Sequence, residues 1–218
     1  MVYENECELS ALRRDFVIEE NVELLNFVGL SRANQLEILR WRNHPITRQW
    51  MFHQHEINLE EHFRFLVNLE VQSHRFYWML QIGEKQIGVI NLCHYSQKNS
   101  EWGFYLNPEW QGTAYGITLI FHALNFFFFR LNIQNLYGFV LKENTNALFL
   151  HDLFYIQYRA LEVDYGDVRT IACEYRTISK QDWQKQTANL KTIKERLIRS
   201  EDLFHRLKAT TISRQIVS

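Results

Sequence analysis

Proline is nearly missing from this chain, with two in 218 residues, and glycine is sparse at eight. No internal repeat or low-complexity segment is present, so each breaker can be read as punctuation between elements. Cysteine is scarce as well: Cys7, Cys93 and Cys173 are odd in number, far apart and without a C-x-x-C pair. Neither a disulfide framework nor a zinc site is expected, and a reducing compartment is. Net charge is close to nil, 24 Lys plus Arg against 25 Asp plus Glu. No global field draws nucleic acid or a membrane surface, so partners have to be sought in local sites. Long hydrophobic runs are also missing. The longest, from Ile117 to Phe129, carries His122 and Asn125 and stops well short of the ~20 residues of a membrane span, so a buried helix is expected there. The N-terminal residues, rich in Glu and Arg, lack the apolar stretch of a secretory signal, which together with the cysteines points to the cytoplasm.

What the chain does have is apolar bulk, 46% hydrophobic and 22% charged residues, enough for one sizeable core. A strand pair is expected over about 15 to 29. Ser31 then caps a helix running through Leu36 and Leu39 until Pro45 ends it. Asn58 followed by Glu61 reads as a capping box, opening a second helix with an apolar face of Leu59, Phe63, Leu66 and Leu69. From His74 the period changes: Phe76 to Ile82, Gln86 to Cys93 and Glu101 to Leu106 are aromatic or β-branched runs separated by turn residues, an antiparallel meander. The turn from Asn107 to Gly116 opens the long apolar helix. Leu136 to Lys142 is a further strand, Asn144 to Phe154 a helix, and Tyr158 to Tyr165 with Val168 to Ile178 a closing hairpin about Gly166. Beyond Ser179 the chain reads as a charged helix with apolar positions at Leu190, Ile193, Leu197, Phe204 and Leu207, suited to packing on the domain or on a second subunit of a homodimer.

The densest recognition chemistry lies between Arg40 and Phe52, where Arg40, Arg42 and Arg48 stand beside His44, Trp41, Trp50, Met51 and Phe52. It reads either as a binding surface or as a helix end whose aromatics are core and whose arginines are solvated. A second candidate is the segment Gln111-Gly112-Thr113-Ala114-Tyr115-Gly116. A strand leading into small residues at a helix N-terminus leaves backbone N–H groups unpaired at the positive end of the helix dipole, an arrangement that suits a pyrophosphate. Small residues at a helix cap can also serve packing alone.

Gln111, Ala114 and Gly116 resemble the acetyl-CoA pyrophosphate loop of the GNAT superfamily of N-acetyltransferases, with alanine where the family usually has its first glycine. The order of elements is similar as well, over roughly residues 14 to 183. The resemblance implies an α/β (α+β) GNAT fold, a central mixed and mostly antiparallel sheet flanked by helices. Residues 1–180 would form the acetyltransferase domain and residues 181–218 a C-terminal helical extension. Leu39-Arg40-Trp41-Arg42-Asn43-His44-Pro45, Trp50-Met51 and Glu101-Trp102-Gly103-Phe104-Tyr105-Leu106-Asn107-Pro108 narrow the resemblance to the branch that works on nucleotide-linked amino sugars. That implies acetyl transfer from acetyl-CoA to the 4-amino group of a UDP-linked 4-amino-4,6-dideoxy sugar, in pseudaminic acid synthesis and flagellin glycosylation, with no metal.

Carried over residue by residue, the resemblance gives an acceptor pocket of Arg42, His44, Trp50, Met51, Phe52, His62 and Phe65, lined from the sheet by Asn91 and Tyr105. Acetyl-CoA would be held by the loop from Gln111 to Gly116, by Tyr105 and Leu106 where two strands part, and by Asn144 and Ala147. The residue type supports the substrate: a guanidinium suits a base and diphosphate, and Met51 with Trp50 suits a 6-deoxy methyl. Where the family has a tyrosine as general acid, this chain has His151, with Tyr155 one turn on and water as alternatives. Glu101 is the candidate base, through water. Two other readings share the loop: a protein N-terminal acetyltransferase of the ribosomal-protein type, and a module that binds acyl-CoA or a sugar nucleotide without turnover.

Overall fold

The computed structural model describes residues 9–164 and 170–187. Eight strands form one sheet in the order β1-β2-β3-β4-β5-β6-β8-β7. The N-terminal hairpin, β1 (Phe16–Glu19) and β2 (Val22–Asn26), pairs with the meander of β3 (Phe76–Ile82), β4 (Lys85–Cys93) and β5 (Asn99–Leu106). β6 (Asn135–Leu141) follows, then the hairpin of β7 (Gln157–Asp164) and β8 (Thr170–Ser179), whose expected turn about Gly166 lies outside the described residues. Among the described strands only β5 and β6 run parallel. The mixed, mostly antiparallel sheet agrees with the sequence reading.

The helices start and stop where the sequence signals stand. α1 (Arg32–Asn43) is capped by the Ser31 side chain, which accepts from the Asn34 amide, and it stops before Pro45, which cannot donate to the preceding turn. A single turn, α2 (Pro45–Arg48), follows, with His44 as its cap. α3 (Leu59–Val71) opens on the expected capping box of Asn58 and Glu61. Its buried face is His62, Leu66 and Leu69, whereas Leu59 is exposed. The long apolar segment is α4 (Tyr115–Asn125) continued by a wider π-helical turn, Phe126–Arg130. That turn sends Phe126, Phe127 and Phe128 into the core and leaves Phe129 outside. α5 (Thr145–Leu153) and α6 (Lys180–Thr187) complete the described helices.

Alternation along the strands divides the core in two. Phe76, Trp78 and Leu80 of β3 point toward α4, α5 and α6, joining Leu119, Leu124, Phe127 and Trp183. Met79 and Val89 point the other way, toward α1 and α3, joining Phe27, Trp41, Leu66 and Leu69. The start of the C-terminal extension is tied to the first of these cores: Trp183 is fully buried, and its indole N–H donates to Asn125 Oδ1 at 2.9 Å. The apolar positions expected from Leu190 to Leu207 lie outside the described residues.

Candidate active site at the forked strands

β5 and β6 are paired only through Asn99 with Asn135, Ser100 with Leu136 and Glu101 with Tyr137. Beyond that they part, while β5 stays paired to β4 as far as Leu106 without a bulge. The Asn107 amide donates to the Ile87 carbonyl of β4 at 2.9 Å. By alternation the Tyr105 amide also faces β4, and those of Phe104 and Leu106 face the fork, where no strand is opposite. Leu106 thus turns its backbone amide to the fork, whereas Tyr105 turns its side chain to the cavity. A cavity of about 400 Å³ runs through the sheet at this point and is lined from both faces.

On the α1 side the wall combines charged and hydroxyl groups with an apolar patch. Arg42, from the last turn of α1, donates through Nη2 to the His53 carbonyl at 2.9 Å, and its buried Nη1 has no protein partner among the described residues. Burial lowers the Arg42 pKa, and the hydroxyls of Tyr105 and Tyr77 partly oppose that shift. A guanidinium desolvated without a carboxylate beside it is a group an anionic ligand would satisfy. The segment carrying Trp50, Met51 and Phe52 is pinned next to it, because Asn43 both donates to the Ile57 carbonyl, at 2.7 Å, and accepts from the Ile57 amide, at 2.9 Å. All three side chains line the cavity. Trp41, by contrast, is core. From the sheet come Asn91 and Tyr105, as expected, and Tyr77, which sequence reading missed. The register that pairs Tyr77 with Asn91, and Asn91 with Gly103, puts them in one row across the meander.

Three residues assigned to this pocket lie elsewhere. His62 is buried between helices, its Nε2 bonded to the Gln35 carbonyl at 2.8 Å, with burial lowering its pKa. It is a strut between α3 and α1. Phe65 packs edge-on against Tyr77, at 5.2 Å between centroids, behind the wall rather than in it. His44 is exposed and spends Nδ1 as acceptor from the Ile46 amide, capping α2.

On the α4 and α5 side the wall is aromatic and aliphatic. Trp102, Phe104 and Leu106 of β5 meet Leu150 and His151 of α5, and Asn144 and Ala147 line the same side. Asn144 is the cap of α5, accepting from the Ala147 amide at 3.2 Å. Within the loop, Gln111 lines the cavity and donates to the buried Thr47 Oγ1 at 3.2 Å, joining the two walls. Gly112 takes a positive φ of 72°, which glycine adopts without strain. Ala114 sits in the ordinary right-handed region, so the alanine at this position costs nothing. Thr113 Oγ1 accepts from the Tyr115 amide, while the amides of Gly112 and Ala114 meet no acceptor among the described residues. They stand at the positive end of the eleven-residue α4. Gly116 has a further role: a Cβ there would come within 3.2 Å of Leu150 Cδ1 and 3.4 Å of Leu106 Cδ1, so its absence lets α5 and β5 close on α4.

The expected proton donor is the largest departure. His151 is 3% exposed and its ring lies nearly parallel to Trp102, at 5.5 Å, and to Phe104, at 5.9 Å. Burial and, to a lesser extent, the nearby Arg176 guanidinium drive its pKa down to about 3 against the opposing charge of Asp152. The ring is neutral near pH 7, and a neutral imidazole is a poor acid toward a thiolate. Tyr155 does not replace it. It sits just past the end of α5 with φ of 53°, 60% exposed and outside the cavity. Glu101 does line the cavity, on the polar side, and accepts from His94 Nδ1 at 2.9 Å. His94 was not foreseen, since a histidine in a turn carries no signal until its partner is known.

Comparison with known proteins agrees with this geometry. The profile of the acetyltransferase (GNAT) domain family matches residues 25–150. A curated Campylobacter jejuni protein named acetyltransferase PseH is 35% identical over 130 residues, which are 60% of this chain and 81% of that protein. The crystal structure of Campylobacter jejuni N-acetyltransferase PseH in complex with acetyl coenzyme A superposes with a TM-score of 0.56 at 25% identity, over 72% of this chain and 98% of the other. A spermidine N-acetyltransferase from Vibrio cholerae, solved with CoA and spermine, shares the fold at a TM-score of 0.67 and 19% identity, over 76% of this chain and 99% of its own.

Proposed function

The chain belongs to the GNAT acetyltransferase family, and we propose that it moves the acetyl group of acetyl-CoA to the 4-amino group of a UDP-linked 4-amino-4,6-dideoxy sugar. The acceptor that the sequence motifs imply is UDP-4-amino-4,6-dideoxy-N-acetyl-β-L-altrosamine, a precursor of pseudaminic acid. The observation that carries the reading is the cavity through the fork, with Arg42 on one side and the free backbone edge of β5 on the other.

The residues present fit acetyl-CoA. The amides of Phe104 and Leu106 have no strand opposite, and those of Gly112 and Ala114 have no acceptor, so an amide-bearing chain and a pyrophosphate would each find donors waiting. Asn144 and Ala147 would flank the thiol end. Bound there, acetyl-CoA supplies an acetyl group activated as a thioester. Trp102, Phe104 and Leu150 keep water from that part of the cavity. On the other side Arg42 would pair with the diphosphate, while Trp50, Met51 and Phe52 enclose the apolar edge of the sugar. Glu101 would take the proton from the acceptor nitrogen, and the thiol's proton comes from water, because His151 is neutral and Tyr155 is outside.

A peptide acceptor fits this wall less well, since the amine of a chain terminus favours an acidic groove and the wall presents Arg42. The test is thiol release from acetyl-CoA with UDP-linked and dTDP-linked 4-amino sugars beside an alanine- or serine-initiated peptide. The UDP-amino sugar is expected to give the highest kcat/KM. Preference for the peptide would overturn the acceptor, and acetyl-CoA binding without thiol release for any acceptor would identify a non-catalytic module.

A further inference from the structure

We propose that His94 and Glu101 form a dyad in which His94 positions Glu101 as the proton acceptor for the attacking amine; the proposal rests on the acetyl-transfer reading above.

Glu101 stands at the mouth of the fork, the last residue of β5 paired with β6, in a row with Cys93 of β4 and Tyr137 of β6. Its carboxylate is partly enclosed, with a side-chain exposure of 29%, and it lines the cavity on the acceptor side. Its neighbours offer it little. The Cys93 thiol is engaged with the Tyr77 hydroxyl at 3.7 Å and the Asn91 amide at 3.5 Å. Among the described residues, His94 makes the one hydrogen bond to the Glu101 carboxylate, at Oε2, and leaves Oε1 for a substrate. Opposite an ionised carboxylate the ring must carry its proton on Nδ1.

The placement of His94 is itself unusual. Its backbone is left-handed, with φ of 48°, in the turn between β4 and β5, and this conformation swings the side chain back along β5. The His74 ring lies beside it, with centroids 6.3 Å apart and planes inclined by 17°. The His74 backbone carbonyl accepts from the Tyr95 amide at 3.0 Å. His94 is 65% exposed, so the pair spans from the enclosed cavity to solvent. A carboxylate inside a cleft, oriented by an exposed histidine, can take a proton from within and return it outside.

The step balances simply. The acceptor nitrogen forms the C–N bond as the C–S bond breaks. Its proton passes to Glu101 Oε1 and then to solvent, and the thiolate takes one proton from solvent. The other titratable groups facing Glu101 stay neutral throughout: burial raises the pKa of both Cys93 and Tyr137, and the charge of Glu101 raises them further. Arg75, near Cys93, opposes that rise in the thiol.

The experiment is the pH dependence of kcat/KM, measured by thiol release on whichever amine wild-type protein acetylates. Glu101→Gln is expected to lower kcat about 100-fold, the lower bound for losing a general base. His94→Phe is expected to lower kcat about tenfold with both KM values within about twofold. It should also move the acid limb of the profile to higher pH, since a hydrogen bond to the carboxylate favours its charged form. His94→Gln, which keeps an N–H donor, should recover most of the rate. Wild-type kcat with an unmoved limb in His94→Phe, or a loss that His94→Gln fails to recover, overturns the dyad alone. Wild-type protein that releases thiol with no amine overturns the acetyl-transfer reading and the dyad together.

Discussion

The two walls of the cavity differ in where they carry charge: the charged groups stand on the α1 wall, and the α5 wall has none that is charged near neutral pH. The α1 wall sets a guanidinium, a carboxylate, two phenols and a carboxamide beside the apolar patch of Trp50, Met51 and Phe52; the α5 wall is mainly indole, phenyl, leucine and an imidazole held neutral, with Asn144 at its edge. One strand supplies both, because successive β5 side chains alternate: Glu101, Gly103 and Tyr105 face one way, Trp102, Phe104 and Leu106 the other. Selectivity for a charged acceptor and exclusion of water from a reactive thioester make incompatible demands on a surface. Alternation along a single strand meets both within a few ångströms.

The contrast can be broken most completely at Gly116. Substitution by leucine puts side-chain atoms into the contact with Leu150 and Leu106, and titration calorimetry should show acetyl-CoA affinity lost by more than about 100-fold, an overpacking cost of about 3 kcal/mol at the site. Unchanged affinity would remove the loop from the acetyl-CoA site. Next in size, Arg42→Ala should raise the KM of the sugar nucleotide about 10- to 100-fold, the worth of one charged hydrogen-bonded contact, and leave that of acetyl-CoA within about twofold. Equal effects on both would mean the walls are not separate. Gln111→Ala tests the link between them: losing its bond to Thr47 should raise both KM values together by about threefold, the scale of one neutral hydrogen bond.

His151→Phe is expected to have the smallest effect on rate, with kcat within about fivefold of wild type, and a clear effect on stability. A histidine whose folded pKa lies below its unfolded value stabilises the fold fully above about 6.5 and progressively less as pH falls toward about 3. The wild-type melting temperature should therefore drop between pH 7 and pH 4. Phenylalanine at this position, which also removes the unpartnered buried Nδ1, should flatten that slope. A kcat loss above 100-fold would return His151 to the chemistry.

Much of the fold was legible because its signals are local. Ser31, the Asn58–Glu61 box, Pro45 and the alternating aromatic runs each act within a few residues, and the elements lie where they indicate. Of the cluster close in sequence, Arg42, Trp50, Met51 and Phe52 line the cavity and His44 does not. Errors fall where a partner is distant. His62 is a strut because of a carbonyl 27 positions away, and Gly116 is needed by Leu150. Tyr155 occupies the left-handed position after α5, a place that glycine or asparagine usually marks, so the sequence carried no sign that its ring turns outward. The neutrality of His151 depends on two rings of β5 and on Arg176 of β8.

An unpaired strand edge is ordinarily a liability, since it recruits other chains and seeds aggregation. In this molecule the bare stretch of β5 is not at the rim of the sheet but inside it, with β6 on its far side and α5 beneath. A chain with amides of its own could pair with that edge as a surrogate strand, so the same exposed groups that would be a hazard at the rim become a docking rail inside the sheet.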